Sequence, residues 1–189
     1  MNPPIDLSSC ILHTPRLTLR PWTMDDLEDL YAYASVDGVG QMAGWLPHDS
    51  RETSRRILED FISGGEVLAL EYEGRVVGSL GVHTYDEVHL PAFLFQPCRE
   101  IGFVLAKDCW GKGLMCEAVH AVVRYLFDEV GLYAVLCGSL PWNRQSARVQ
   151  EKCGFRFHTR IDDFTTRSGA KESVVYTVLY RTQWLAAQE

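Results

Sequence analysis

The stretch of this chain that most constrains its fold runs from Ile101 to Phe127. Ile101–Ala106 is a continuous apolar run, Gly111-Lys112-Gly113 follows it, and Gly111–Phe127 then places Leu114, Ala118, Val122 and Tyr125 on one stripe, flanked by Met115, Val119 and Leu126. A short apolar run bounded by turn residues reads as a buried strand, and the three-to-four spacing after it as an amphipathic helix. A helix entered through such a turn leaves its first amides without partners, and its dipole makes that end a seat for an anion. Glycine lets the backbone approach a phosphate with no side chain in the way. The segment therefore reads as a phosphate-binding turn, and equally as a purely structural one. Two other phosphate turns do not fit. A P-loop asks for glycine where Ala106 stands and for Ser or Thr where Gly113 stands, and a dinucleotide turn asks for a third glycine where Cys116 stands.

The remaining sequence alternates strand-like and helix-like segments with no repeat or long linker, and residues 1–189 read as one domain. Leu12–Trp22 reads as a strand with Leu17, Leu19 and Pro21 on one face. Thr23 is placed to cap a helix ending near Ser35, with Asp25 and Asp26 at its positive end. Asp37–Asp49 reads as a loop, and a second helix runs from Ser50 to about Ser63, stopped by Gly64-Gly65. Val67–Tyr72 and Val76–Tyr85 form a hairpin about Glu73-Gly74-Arg75, and Asp86–Pro97 is a connection. Strands at Tyr133–Ser139, Phe155–Arg160 and Ser173–Tyr180 and a short helix at Asn143–Cys153 complete about six or seven strands and about four helices around one sheet, an α/β or α+β fold.

Composition removes several function classes. Eighteen Lys and Arg against 25 Asp and Glu give a net charge of −7, which argues against general nucleic-acid binding but leaves room for a local cationic pocket. No apolar run approaches the length of a membrane span, and Met1-Asn2-Pro3-Pro4 lacks the start of a signal peptide. The six cysteines read as reduced thiols of a cytoplasmic protein. Cys116 and His120 share a helix face, but two ligands do not make a metal site, so none is expected. His83 and His89 read as surface or pocket residues.

A second constellation follows the first. Asn143 is a natural cap, Ser146 lies three residues on near the same face, Arg144, Arg148 and Lys152 form a basic row, and Gly154 ends the helix. Alone, these residues describe a capped surface helix with a solvated charged side. Three blocks in this order resemble the GNAT superfamily of acyl-CoA-dependent N-acyltransferases, in particular its RimJ/RimL-like branch. They are Leu12–Arg20, the strand–turn–helix from Glu100 to Glu117, and the Asn143-x-x-Ser146 helix ending in Lys152-Cys153-Gly154-Phe155.

The resemblance implies a mixed, mostly antiparallel, splayed sheet with acetyl-CoA wedged between the strand ending near Leu105 and the strand ending near Ser139. On that pattern the pantetheine pairs with the backbone of Phe103, Val104 and Leu105. The pyrophosphate sits on the amides of Trp110, Gly111, Lys112, Gly113, Leu114 and Met115, and Asn143 bonds the pantetheine arm. The basic row either meets the adenosine phosphates or is a solvated face. Three positions depart from the pattern: Trp110 stands for the usual Gln or Arg, Met115 for a small residue, and Gln150 for a Tyr that protonates the thiolate.

Amide formation needs a base for the amine, a donor for the oxyanion and support for the departing thiolate, whose pKa of roughly 8.5 makes a hydrogen-bond donor sufficient. Glu100 is the candidate base, directly or through a water, or else a strand-edge glutamate paired to an Arg such as Arg99. Ser146 is the candidate thiolate donor, or else a first-turn serine. The amide of Val104 or Leu105 is the candidate oxyanion donor. Trp45, Leu46 and Pro47 either shape the acceptor pocket or simply pack. The implied activity is acetyl-CoA-dependent N-acetylation of a protein N-terminus or a small amine, in a monomer or a homodimer. The other reading is a non-catalytic acyl-CoA-binding module. The acceptor, the acyl-chain preference and the oligomeric state stay open.

Overall fold

Pro15 divides what reads as one strand. In the computed structural model, which describes residues 3–166 and 168–188, β1 (Leu12–His13) and β2 (Leu17–Pro21) form an antiparallel hairpin. The Leu17 amide donates to Thr14 Oγ1 at 2.8 Å and the Thr14 amide to the Leu17 carbonyl at 2.9 Å, a local turn that a proline readily sustains. The remaining strands are β3 (Val67–Tyr72), β4 (Arg75–His83), β5 (Cys98–Leu105), β6 (Ala134–Ser139), β7 (Arg156–Thr165) and β8 (Lys171–Tyr180). They form one eight-stranded sheet in the order β1-β2-β3-β4-β5-β6-β8-β7. Only β5 and β6 pair in parallel among the described strands.

The helices are α1 (Leu27–Ala34), α2 (Val39–Met42), α3 (Arg51–Gly64), α4 (Leu114–Asp128), α5 (Arg144–Lys152) and α6 (Arg181–Ala186). Thr23 does not begin a full α-helix. A 3-10 turn over Met24–Asp26 precedes α1, and Asp26 accepts from the Thr23 amide at 2.8 Å and from both Nη atoms of Arg20. Helix α3 begins as expected, with the Ser50 side chain accepting from the Thr53 amide. The hairpin turn places Glu73 at φ 51° and Gly74 at φ 80°, the paired positive angles of a tight two-residue connection.

Several expectations need correction. The split at Pro15 makes eight strands, and α2 and α6 bring the helices to six. Both extra helices are shorter than two turns, too short for an apolar period to register. Strand β5 begins at Cys98 rather than Ile101, because Cys98, Arg99 and Glu100 pair with Ala134, Val135 and Leu136. Two charged residues in a row disguise that start. Strand β7 runs to Thr165, with register shifts near Thr159 and before Phe164.

One core forms where α4 buries Leu114, Ala118, Val119, Val122, Leu126 and Phe127 against the sheet, together with Leu19, Leu70, Leu80 and Ile101. A second core of Tyr85, Leu90, Phe93, Cys98, Leu136, Tyr176 and Val178 lies on the other face, closed by the 84–97 connection. Phe127 is fully buried and Phe157 is 69% exposed. Phe127→Ala should therefore lower unfolding free energy by about 3–5 kcal/mol in urea titration, and Phe157→Ala by less than about 0.5 kcal/mol.

Candidate active site

The parallel pairing of β5 and β6 stops at Glu100 and Leu136, while β5 continues to Leu105 and β6 to Ser139. Beyond Glu100 one edge of β5 has no strand beside it. Which groups lie on that edge follows from the ladder with β4, where Ser79 pairs Val104 and the Ala106 amide donates to the Val77 carbonyl. Hydrogen-bonded pairs alternate in an antiparallel ladder, so Gly102 and Val104 bond to β4 whereas Phe103 and Leu105 turn their amides into the opening. Of the two amides read as oxyanion donors, Leu105's faces the opening and Val104's faces β4. The Leu105 carbonyl accepts from Trp110 Nε1 at 2.8 Å, which gives the departing residue Trp110 a structural task.

The opening has a floor on the opposite side from α4. Gly102 is exposed in the middle of a central strand, and a Cβ built on it would meet nothing within 4 Å. Its cross-strand partner is Gly81, and Glu100 lies opposite His83. Glu100 shares this face with Gly138 and Tyr176: a Cβ on Gly138 would stand 3.2 Å from both Glu100 Oε1 and Tyr176 Cε1. Tyr176 stands beside Glu100, and burial, together with the charge of that carboxylate, pushes the phenol well above its usual range. Neighbouring strand residues face opposite sides, and Arg99 accordingly turns away from Glu100 to donate to the carbonyls of Cys98 and Pro3. Arg99 is therefore not an arginine that pairs with Glu100.

The turn after β5 has the form read from the sequence. Gly111 and Gly113 take φ angles of 76° and 79°, which side chains other than glycine rarely adopt, and Gly113 caps α4. The side chains of Leu114 and Met115 are buried in the core, so these two residues can offer only their amides. A brace from the N-terminal hairpin holds this turn. Glu117 on α4 accepts from Thr14 Oγ1 at 2.5 Å, the Arg16 amide at 2.9 Å and Arg16 Nε at 2.8 Å, while Arg16 Nη1 donates to the Lys112 carbonyl at 2.9 Å. Burial works against its charge, yet the Thr14 hydroxyl and Arg16 hold the Glu117 carboxyl below its usual value of 4.5.

After β6 the chain reaches α5. Asn143, expected on the pantetheine arm, is 5% exposed. Its Oδ1 accepts from the Ser146 amide at 3.0 Å and its Nδ2 donates to the Met42 carbonyl at 2.8 Å, tying α5 to the α2 segment. The same segment accepts from Lys107 Nζ at the Asp37 carbonyl, 3.4 Å, and from the Ser168 amide at the Gly44 carbonyl, 3.0 Å. It therefore straps β5's end to α5 and to the β7–β8 turn. Within it Trp45 packs on His48, with ring centroids 5.2 Å apart, and Leu46 is exposed. Ser146 is half-buried and accepts from Gln150 Nε2 at 2.9 Å.

Of the basic row, Lys152 lines a cavity of about 630 Å³ with His120, Arg124 and Arg156. None of the residues of the opening lines it. Among the described residues no three His, Cys, Asp or Glu side chains gather as a metal site, the six cysteines form no disulfide, and no helix is long and apolar enough to cross a membrane. Sequence reasoning missed Tyr176, Gly102, Thr14 and Glu117 as parts of the site. Tyr176, Thr14 and Glu117 each meet a partner on another element, and Gly102 matters by the open space above it; nothing in the local sequence points to either.

The brace sets an expectation for acid. A carboxyl held below its ordinary value contributes stability that is fully present above pH 4.5 and is lost as pH falls through the folded-state value. Glu117→Gln should lower unfolding free energy by about 1–2 kcal/mol near neutral pH, with the half-exposed Arg16 screened by solvent, and should flatten the loss of stability below pH 4.5. Urea titrations across pH check both.

Comparison with known proteins places this architecture. Residues 16–156 match the family model for the acetyltransferase (GNAT) domain. YdaF of Bacillus subtilis is 30% identical over 115 residues, which cover 61% of this chain and 59% of YdaF, so the chain spans about three fifths of that relative. The ribosomal protein uS5-alanine N-acetyltransferase of Escherichia coli is 27% identical over 90 residues, 48% of this chain and 46% of that enzyme. The crystal structure of a GNAT-family acetyltransferase from Bacillus anthracis superposes with a TM-score of 0.78 at 23% identity, covering 91% of this chain and 99% of that one. The chain belongs to the GNAT acetyltransferase family.

Proposed function

We propose that this protein moves the acetyl group of acetyl-CoA directly onto a primary amine, with a protein N-terminal α-amino group or a small-molecule amine as acceptor. The observation that carries the reading is the fork after Glu100, where two amides of β5 face an opening whose floor is the exposed Gly102. The pantetheine extends the sheet along the free edge at Phe103 and Leu105, and the pyrophosphate rests on the amides of Gly111–Met115 at the start of α4. The thioester carbonyl then lies near the fork, with the Phe103 amide, the nearer to Glu100 of the two that face the opening, as donor to the developing oxyanion. The amine approaches over Gly102, and Glu100 takes its proton directly or through a water. Nitrogen bonds to the carbonyl carbon, the carbon–sulfur bond breaks, and the thiolate leaves toward Ser146, whose hydroxyl supports it. The uS5-alanine enzyme supports a peptide α-amine as acceptor, and the net charge of −7 suits a cationic amine or basic peptide.

Isothermal titration should give saturable binding of acetyl-CoA, and Gly113→Glu should abolish it by bulk and charge at the turn. With any accepted amine, Glu100→Gln should reduce kcat by about 100-fold or more and Ser146→Ala by about 100-fold, each with acetyl-CoA affinity nearly unchanged. Absence of acetyl-CoA binding by the native protein would overturn the proposal.

A further inference from the structure

Gln150 stands at the position where the family pattern places a thiolate-protonating tyrosine, and it is 2% exposed. Both ends of its amide are engaged. Gln150 Oε1 accepts from Thr177 Oγ1 at 2.7 Å, and Gln150 Nε2 donates to Ser146 Oγ at 2.9 Å. Thr177 lies on β8 opposite Cys137 of β6, so the contact joins α5 to the strand wall beside the opening.

The direction of this chain decides what Ser146 can do. In the reverse orientation Gln150 Oε1 would accept the Ser146 proton, Gln150 Nε2 would donate to Thr177, and Thr177 would donate to the Cys137 carbonyl. The distances favour the first arrangement. A separation of 2.7 Å is typical of O–H···O and short for N–H···O, whereas the Thr177 hydroxyl lies 3.3 Å from the Cys137 carbonyl, long for an O–H donor. With Thr177 donating, the amide presents its nitrogen to Ser146. An NH2 group cannot accept, so the Ser146 hydroxyl receives one hydrogen bond and keeps its own proton to give. The Asn143 cap fixes the Ser146 backbone beneath it.

We infer that Gln150 is a positioning residue: its buried amide, oriented by Thr177, holds the Ser146 hydroxyl as a donor toward the departing CoA thiolate. The inference rests on the reading of Ser146 as that donor. It explains how the site works without the tyrosine. The proton of one side chain is replaced by the enforced direction of another.

The test measures kcat and KM for acetyl-CoA at about pH 8, above the ordinary carboxylate range, for Ser146→Ala, Gln150→Met, Gln150→Glu and the two double variants. Gln150→Met keeps the bulk but donates nothing, and should lower kcat about 10-fold. Gln150→Glu accepts at both ends and captures the Ser146 proton, so its kcat should fall further, by about 100-fold, with KM within about twofold of native. In the Ser146→Ala background neither substitution should lower kcat by more than about twofold, because the group being oriented is gone. Wild-type kcat in Gln150→Glu, or a loss of equal size in the Ser146→Ala background, would overturn the inference while leaving Ser146 as the donor. An unchanged kcat in Ser146→Ala would overturn the Ser146 reading and this inference together. Should either Gln150 variant fail to fold, Thr177→Val provides the same readout: it frees the amide to reverse and should lower kcat about threefold to tenfold at unchanged KM, and again only when Ser146 is present.

Discussion

Everything functional in this molecule depends on two parallel strands that pair for three residues and then separate. Up to Glu100 and Leu136 the strands satisfy each other, and beyond that point the edge of β5 turns its amides to an opening. A free strand edge ordinarily invites a partner strand. Here the edge is enclosed between the α4 turn, the start of α5 and the 37–44 strap, which favours a slender extended ligand over another chain. The carboxyl ends of parallel strands are where ligands collect in α/β sheets, and this fork follows that rule with a single parallel pair.

The fork would not hold its shape on strand pairing alone. Glu117 gathers the Thr14 hydroxyl and the Arg16 backbone and guanidinium, and Arg16 in turn holds the Lys112 carbonyl of the glycine turn. The N-terminal hairpin thus fixes the angle at which α4 leaves β5. On the other wall, Asn143 joins the start of α5 to Met42, and Gln150 joins the end of the same helix to Thr177. Each wall is held by a buried or half-buried polar contact between elements distant in sequence, which gives the opening a preset shape.

The parts legible in the sequence were those whose signal is local. Hydrophobic spacing marked α4, the glycine pair marked its turn, and Asn143 and Ser146 marked the capped start of α5. The hairpin at Thr14–Arg16 was legible only as a motif, since its partner Glu117 lies a hundred positions away. Tyr176 gave no signal, because an apolar alternation in the last strand says nothing about which strand it will face. Trp110 is legible only as a departure from the family pattern. Its contact with the Leu105 carbonyl appears only once the end of β5 and the turn are folded back on each other. The start of β5 is hidden because Arg99 and Glu100 break the apolar run, and Glu100 is the residue proposed as the base.

The floor of the opening is backbone at Gly102, not side chain. A surface made of main chain has no volume or charge of its own to vary, so mutation of the strands has little room to redefine which amine fits. Side chains can be varied instead in the 37–49 and 84–97 segments and the β7–β8 turn, which lie outside the sheet ladder, where change is best tolerated. The sheet can therefore be kept intact through divergence while the acceptor changes, and two chains alike in every strand residue named here can differ completely in what they acetylate.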